Sequence, residues 1–374
     1  MGASTLFHLT RVGVRRPVLL ESDRLGAGGT GRSLAILRMH YSNEVIARMA
    51  HVSHRVISSF EKEVGAPSGF VQTGYCLLVG PGQEDALRRN VALGQSVGVD
   101  TEALAPDAAR SVLPPGFDLD GIAAVAYEPE SGYADSSAVT FGFVAAAKAA
   151  GAVVRLGVRV TGIRVVRGQV AGVDTSDGPI ETGTVVLAAG AGTPELLASV
   201  GRSLPIGFVR HQIVRLHRPL DRLPTHPTIG DVANGLSFRP DRGDVTLVGI
   251  REDPSGRDGW RQAVDGDVAE EALRATAARM PAMADAGWDG GWAGLFDVTP
   301  DWHPVIDRVS GVAGLVCGVG FSGHGFKLSP AVGQALAELA VHGEARTIDM
   351  TPLRFTRFDE GDLLRSAYGG TVFA

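Results

Sequence analysis

The segment Gly320-Phe-Ser-Gly-His-Gly-Phe-Lys327 ends in two groups able to hold or move charge, His324 and Lys327. It sits between two regular patterns. The apolar run from Leu315 to Val319, bounded by glycine, reads as a buried strand. From Leu328, the apolar residues Ala331, Val332, Ala335, Leu336, Leu339 and Ala340 recur with helical spacing, and Gly343 closes the helix. Glycines at 318, 320, 323 and 325 let the backbone turn sharply beside a ligand. A turn that opens a helix aims free N–H groups and a positive dipole end at one spot, which suits an anion or a group that becomes anionic during a reaction. For four glycines alone, a tight buried turn without a ligand is the alternative.

With Thr299-Pro-Asp-Trp-His-Pro304 upstream, this segment resembles the flavin-contacting signature of the D-amino-acid-oxidase superfamily of FAD enzymes, in particular its sarcosine oxidase and dimethylglycine dehydrogenase branch. The resemblance implies FAD, with Gly320, Ser322, Gly323, His324, Gly325 and Lys327 beside the flavin. A helix start there stabilises negative charge on the reduced ring. It also implies an α/β fold: a Rossmann-type FAD-binding domain interleaved with an antiparallel-sheet α+β substrate domain. Gly2 and Ser4 resemble the end of the dinucleotide fingerprint, and Pro17-Val-Leu-Leu-Glu21 its second strand, with Glu21 at the ribose-binding position. The first strand and first two glycines of the fingerprint are missing. An upstream start is one expectation, and a natural truncation with impaired cofactor binding is the other. The Gly-rich loop after Glu21 brings Thr30, Gly31, Arg32 and Ser33 toward the cofactor by the same resemblance, followed by Val160 on the adenine side and Gly190 at a second nucleotide-side turn.

Arg38-Met-His-Tyr41 matches the family's Arg-x-x-Tyr segment, whose arginine grips the substrate carboxylate, and Lys327 matches a second carboxylate contact. An arginine fork and a lysine point charge facing one cavity would fix a carboxylate above the flavin. A surface arginine and a solvated helix start are the alternatives. His40, His211 and His324 are candidates for proton handling, and each could equally be a core histidine.

Departures from the family pattern are informative. Gly294, Arg32 and Ser136 stand where covalent flavin anchors would fall, so FAD is expected to be held non-covalently. Leu247 replaces the lysine that promotes reaction with oxygen, so O2 or another electron acceptor is open. Phe296 replaces an active-site tyrosine, and Arg251 replaces a cavity histidine. Arg251 could give a second anionic contact or pair with Glu252 or Asp253 at a strand end. The substrate expected is a small amine-bearing carboxylate, oxidised to an imine. The alternative readings are a subunit of a multi-chain amine or opine dehydrogenase with partner subunits, and a cofactor-poor accessory protein.

The remaining features set boundaries. The 374 residues, 44% hydrophobic with 50 glycines, suffice for about two domains. These are read as an FAD-binding part at 1–69, 135–204 and 299–374, and a substrate part at 70–134 and 205–298. A net charge of −6 offers no basic stripe for nucleic acid, and no apolar run approaches a membrane span. No metal-ligand spacing is present. Cys76 and Cys317 lie in apolar strand-like runs, as expected of core thiols in a reducing, cytoplasmic compartment. Helices are expected at about 43–64 and 268–279, and a strand over 70–79.

Overall fold

The structure is a computed structural model that describes residues 1–256 and 260–373; residues 257–259, within the 205–298 segment, lie outside the described residues. Its largest element is an eight-stranded sheet. In spatial order the strands are Gly287–Val298, Gly207–His217, Val245–Pro254, Leu236–Pro240, Thr228–Asp231, Tyr75–Val79, Ala124–Glu128 and Glu102–Leu104. All neighbours are antiparallel except Thr228–Asp231 and Tyr75–Val79, which are parallel. One face packs on the helix Gly266–Arg279 through Val214, Leu216, Phe238, Val248, Val268 and Ala272, all buried. The other face bears the site.

The second part holds shorter parallel strands. Val18–Glu21 pairs with Val153–Leu156, while Val185–Leu187 pairs with Leu315–Val319. These two pairs belong to separate sheets. Gly2 sits between them: a β-carbon there would lie 3.6 Å from Leu19 Cδ1 and 3.9 Å from Ala188 Cβ. A meander of Val160–Val166, Gln169–Thr175 and Ile180–Glu181 closes this half.

Helices cover these strands. Gly2–Arg11 packs against both Gly325–His342 and Ser136–Ala149. The last of these starts where the Asp135 carboxylate accepts the Ser137 and Ala138 N–H groups at 2.9 and 3.0 Å, satisfying two of the helix's unpaired donors. Gly325–His342 ends at Gly343 in the left-handed conformation, φ 79°. It begins three residues earlier than its apolar spacing suggests, because glycine and His324 carry the turn directly into it. Two expected elements are interrupted. The 43–64 helix forms as Glu44–Ser58 and Phe60–Val64, and the 70–79 strand as Val71–Gln72 and Tyr75–Val79, broken at Gly74 with φ 73°.

Candidate active site

A narrow cleft with a cavity volume of about 60 Å³, partly open to solvent, lies between the free face of the large sheet and the start of the helix Gly325–His342. The loop after the first strand contributes Arg32, Ser33 and Arg38; the sheet contributes Tyr75, His211, Ser237, Gly294 and Phe296; the glycine turn contributes Gly323, Phe326 and Lys327. Sequence separation of nearly 300 residues thus collapses onto one site.

The turn is shaped for this contact. Gly320 and Gly323 adopt φ 69° and 83°, and Ser322 adopts φ 49°, a region side chains disfavour. A β-carbon on Gly323 would stand 2.8 Å from the Phe296 ring, and one on Gly320 would stand 2.5 Å from Thr299 Cγ2. The Asp297 carboxylate accepts the Gly320 N–H at 2.8 Å, and the Asp297 carbonyl accepts the Ser322 N–H at 2.9 Å. The end of the long strand therefore holds the turn in place.

Arg38 is buried, 4% exposed. Its guanidinium lies over the Tyr41 ring, 4.3 Å from the centroid, and donates to the His40 carbonyl and, at 2.9 Å, to the Val372 carbonyl. The next residue is fixed from behind: Glu128 Oε2 accepts the Met39 N–H at 2.9 Å and the Ser131 hydroxyl at 2.6 Å. Burial raises the Glu128 carboxyl to about 7. Tyr41 packs against His324 with the rings tilted by 43° and their centroids 5.6 Å apart, and its buried hydroxyl makes no hydrogen bond. Burial raises this phenol to about 12.

Lys327 is also buried. Loss of water first, and the Arg38 charge second, hold its amine well below the ordinary lysine range. The same two kinds of cause act on His324, which burial, Lys327 and Arg38 hold well below the ordinary histidine range. Burial pushes His40 down to about 3 and His211 down to about 4. Neutral imidazoles and the guanidinium groups of Arg32 and Arg38 therefore define the field of the cleft. Burial and the Arg38 charge thus both disfavour the charged amine of Lys327 in the empty cleft.

Arg251 requires a correction. A bulge between His211 and Gln212 pairs His211 with Glu252 and Gln212 with Ile250, leaving Arg251 out of register with φ 54°. Its side chain turns away from the cleft to the helix Gly266–Arg279, 2.8 Å from Glu271 and 3.0 Å from Asp267. Neither Glu252 nor Asp253 is its partner in these contacts. The cleft receives His211 instead, whose Nδ1 lies 3.1 Å from the Arg251 carbonyl and whose ring stacks on Phe296 at 5.1 Å.

The other expected cofactor residues are placed as follows. Glu21 ends its strand and accepts the Asp23 N–H at 2.9 Å. The Thr30 carbonyl accepts the Ser136 hydroxyl at 2.8 Å, and Gly31 packs tightly on the Gly26 carbonyl. Arg32 donates to Ala27 and Gly28 carbonyls and to Gln262 at 2.8 Å, while Ser33 accepts the Ala35 N–H at 2.9 Å. Val160 opens the meander, and a β-carbon on Gly190 would meet nothing within 4 Å. Ser4 faces the helix Gly325–His342 at Gly333, and its buried hydroxyl makes no hydrogen bond.

Three observations test the fit of a flavin dinucleotide. The buried His324 Nε2 at the head of an 18-residue helix has no hydrogen-bond partner; the backbone at Gly323 and Gly294 fronts the cleft without side chains; and open space adjoins Gly190. These residues fit the group. The sequence pattern had not marked Tyr75, Ser237 or Glu128. The unpartnered Tyr75 hydroxyl faces the cleft from a strand whose apolar run signalled only burial.

The FAD-dependent oxidoreductase family model matches residues 1–339, and the chain belongs to this family of flavoproteins. Human mitochondrial sarcosine dehydrogenase is 28% identical over 92% of this chain, which spans 39% of that protein's length. Sarcosine oxidase subunit beta from Rhodobacter capsulatus is 25% identical over 99% of this chain and 89% of its own. Among solved structures, L-proline dehydrogenase from P. horikoshii superposes with a TM-score of 0.88 at 26% identity, covering 97% of this chain and 96% of that one.

Proposed function

We propose that this chain oxidises a small amine-bearing carboxylate, of the N-methylglycine kind, to an imine, with FAD held non-covalently by Glu21, Thr30–Ser33 and the turn Gly320–Lys327. One observation carries the reading: Arg38 and Lys327, far apart in sequence, line one cleft whose apolar wall is Phe296 stacked on His211. Bound FAD supplies a two-electron acceptor for the hydride lost from the carbon next to nitrogen. The chain's residues do the rest. Arg38 engages the carboxylate with the N–H that otherwise goes to the Val372 carbonyl, a charge-assisted bond. That contact draws a proton onto Lys327, because an adjacent anion reverses the cost of its charge. The guanidinium and the scarcity of anionic groups facing the cleft favour the uncharged substrate amine, the form that can release a hydride. The neutral histidines exclude a charged imidazolium acid, and the N–H proton leaves to solvent.

Leu247, buried in the strand Val245–Pro254, puts no cation at its position. Together with the likeness to an oxidase beta subunit, this supports a second reading in which electrons pass to partner subunits. Among the described residues no helix is long and apolar enough to cross a membrane. Two buried thiols, both raised to about 12 by burial, support a reducing cytoplasmic setting.

The test is an anaerobic absorbance titration with N-methylglycine, glycine and L-proline, followed by acid precipitation. Bleaching by one of them and yellow flavin in the supernatant are expected. A folded, colourless protein would favour the accessory-protein reading, and flavin retained in the pellet would remove non-covalent binding.

A further inference from the structure

The cleft has an occupant from its own chain. Residues 369–373 run across its mouth, with Val372 and Phe373 forming part of the lining. The contacts are specific. The Val372 carbonyl takes a guanidinium N–H of Arg38 at 2.9 Å, and the Val372 N–H reaches Glu252 Oε1 at 3.0 Å. Phe373 inserts beside Tyr75 and Gly230 and is 5% exposed. The preceding residues anchor the segment: the Tyr368 hydroxyl is 2.7 Å from His40 Nε2, and the Ala367 N–H donates to the Ser42 hydroxyl at 2.9 Å.

A backbone carbonyl on Arg38 is a neutral stand-in for a carboxylate oxygen. It satisfies one donor of the fork with a weaker, uncharged partner, whereas a carboxylate makes the charge-assisted bond. The segment is held at its glycine-rich start, Gly369-Gly370, where Gly369 has φ 79°, which gives it a natural hinge. Glu252, carrying the other Val372 contact, is largely buried and raised to about 7 by loss of water, so it can hold the Val372 N–H without placing a full charge beside the substrate carboxylate at neutral pH.

We propose that residues 369–373 are an intramolecular competitor for the carboxylate subsite, a gate that swings on Gly369-Gly370 and yields Arg38 to an incoming carboxylate substrate. This rests on the reading of Arg38 as the carboxylate clamp. A cleft open for only a fraction of the time binds its substrate more weakly by that fraction, so the gate sets both access and the size of substrate admitted.

The experiment is hydrogen–deuterium exchange on the flavin-loaded protein at the amides of 366–373, with and without saturating N-methylglycine, glycine or L-proline. It is read beside KM for two variants, deletion of Gly369–Phe373 and Val372→Pro. The proline removes the N–H held by Glu252 but keeps the side-chain bulk. Faster exchange at Val372 on substrate addition is expected, with KM lowered about tenfold in the deletion and less in Val372→Pro. If the deletion does not fold, the proline variant and the exchange data decide. Unchanged exchange at saturation, with Arg38→Ala still raising KM, would show a fixed wall and overturn the gate while leaving the clamp intact. Arg38→Ala with unchanged KM would overturn the clamp, and the gate with it.

Discussion

Arg38 and Arg251 are the same residue type on the two sides of the large sheet, and they live in opposite worlds. Arg38 is 4% exposed, packed on Tyr41, and donates only to neutral carbonyls. Arg251 has a side chain 36% exposed and is matched by two carboxylates. A buried cation without an anionic partner is costly and persists where something supplies the missing charge. A solvated ion pair contributes little and asks for nothing more. Only the Glu128 carboxyl acts on Arg38, and through space, so the contrast marks Arg38 as a group with room for an anionic hydrogen-bond partner and Arg251 as a finished contact.

The contrast can be broken hardest at a third arginine that resembles Arg38 in burial and Arg251 in pairing. Arg357 meets Asp301 in a two-pronged contact, 2.9 and 3.0 Å, with both side chains at most 1% exposed. Burial alone would raise Asp301, but the bonds and charge of Arg357 outweigh it and hold the carboxyl below its ordinary value. Arg357→Leu leaves that carboxylate buried and unpaired, so chemical denaturation should show a loss of about 3–5 kcal/mol. A loss below about 1 kcal/mol would mean that burial and pairing do not set the cost. Arg38→Ala breaks no hydrogen-bonded ion pair and removes only the through-space charge that lowers Glu128. It should raise KM about a hundredfold for a carboxylate substrate, with a far smaller loss of stability than at Arg357. Combined with Lys327→Met, it should cost less than the sum of the two, since both face one ligand.

Proton uptake sharpens the comparison further. Lys327 is held well below its ordinary range in the empty cleft, and a bound carboxylate raises it. The complex then holds more protons than the free protein, so affinity should fall as pH rises between the two values, by up to about tenfold per pH unit. Calorimetric titration in buffers of different ionisation enthalpy measures the uptake, and Lys327→Met should abolish it. Smallest of all, Arg251→Gln should change KM by less than about twofold and stability by less than about 1 kcal/mol. A KM effect as large as that of Arg38→Ala would return Arg251 to the site.

Much of this was legible in the chain itself, for stated reasons. Apolar runs bounded by glycine marked Leu315–Val319, and 3.6-residue spacing marked Gly325–His342, because both elements are buried along their length. Arg38 and Lys327 were found through the motifs around them. Arg251 left the cleft because of a bulge: it is the extra residue of its strand opposite His211 and Gln212, which changes the face its side chain takes, and no local pattern announces it. Tyr75 and Glu128 were missed because their strands read as continuous core, and a polar atom inside such a run shows its purpose only once its neighbours across the fold are known. Residues 369–373 carry no pattern at all; their seat depends wholly on tertiary contacts.

The two cysteines, Cys76 and Cys317, are buried, and burial raises both thiols to about 12. At neutral pH neither offers thiolate to a reagent. The native chain is therefore silent toward maleimide dyes, and a single cysteine placed at the exposed Ala367 would carry a fluorophore without background. The molecule comes ready for optical recording of its own cleft as substrate arrives.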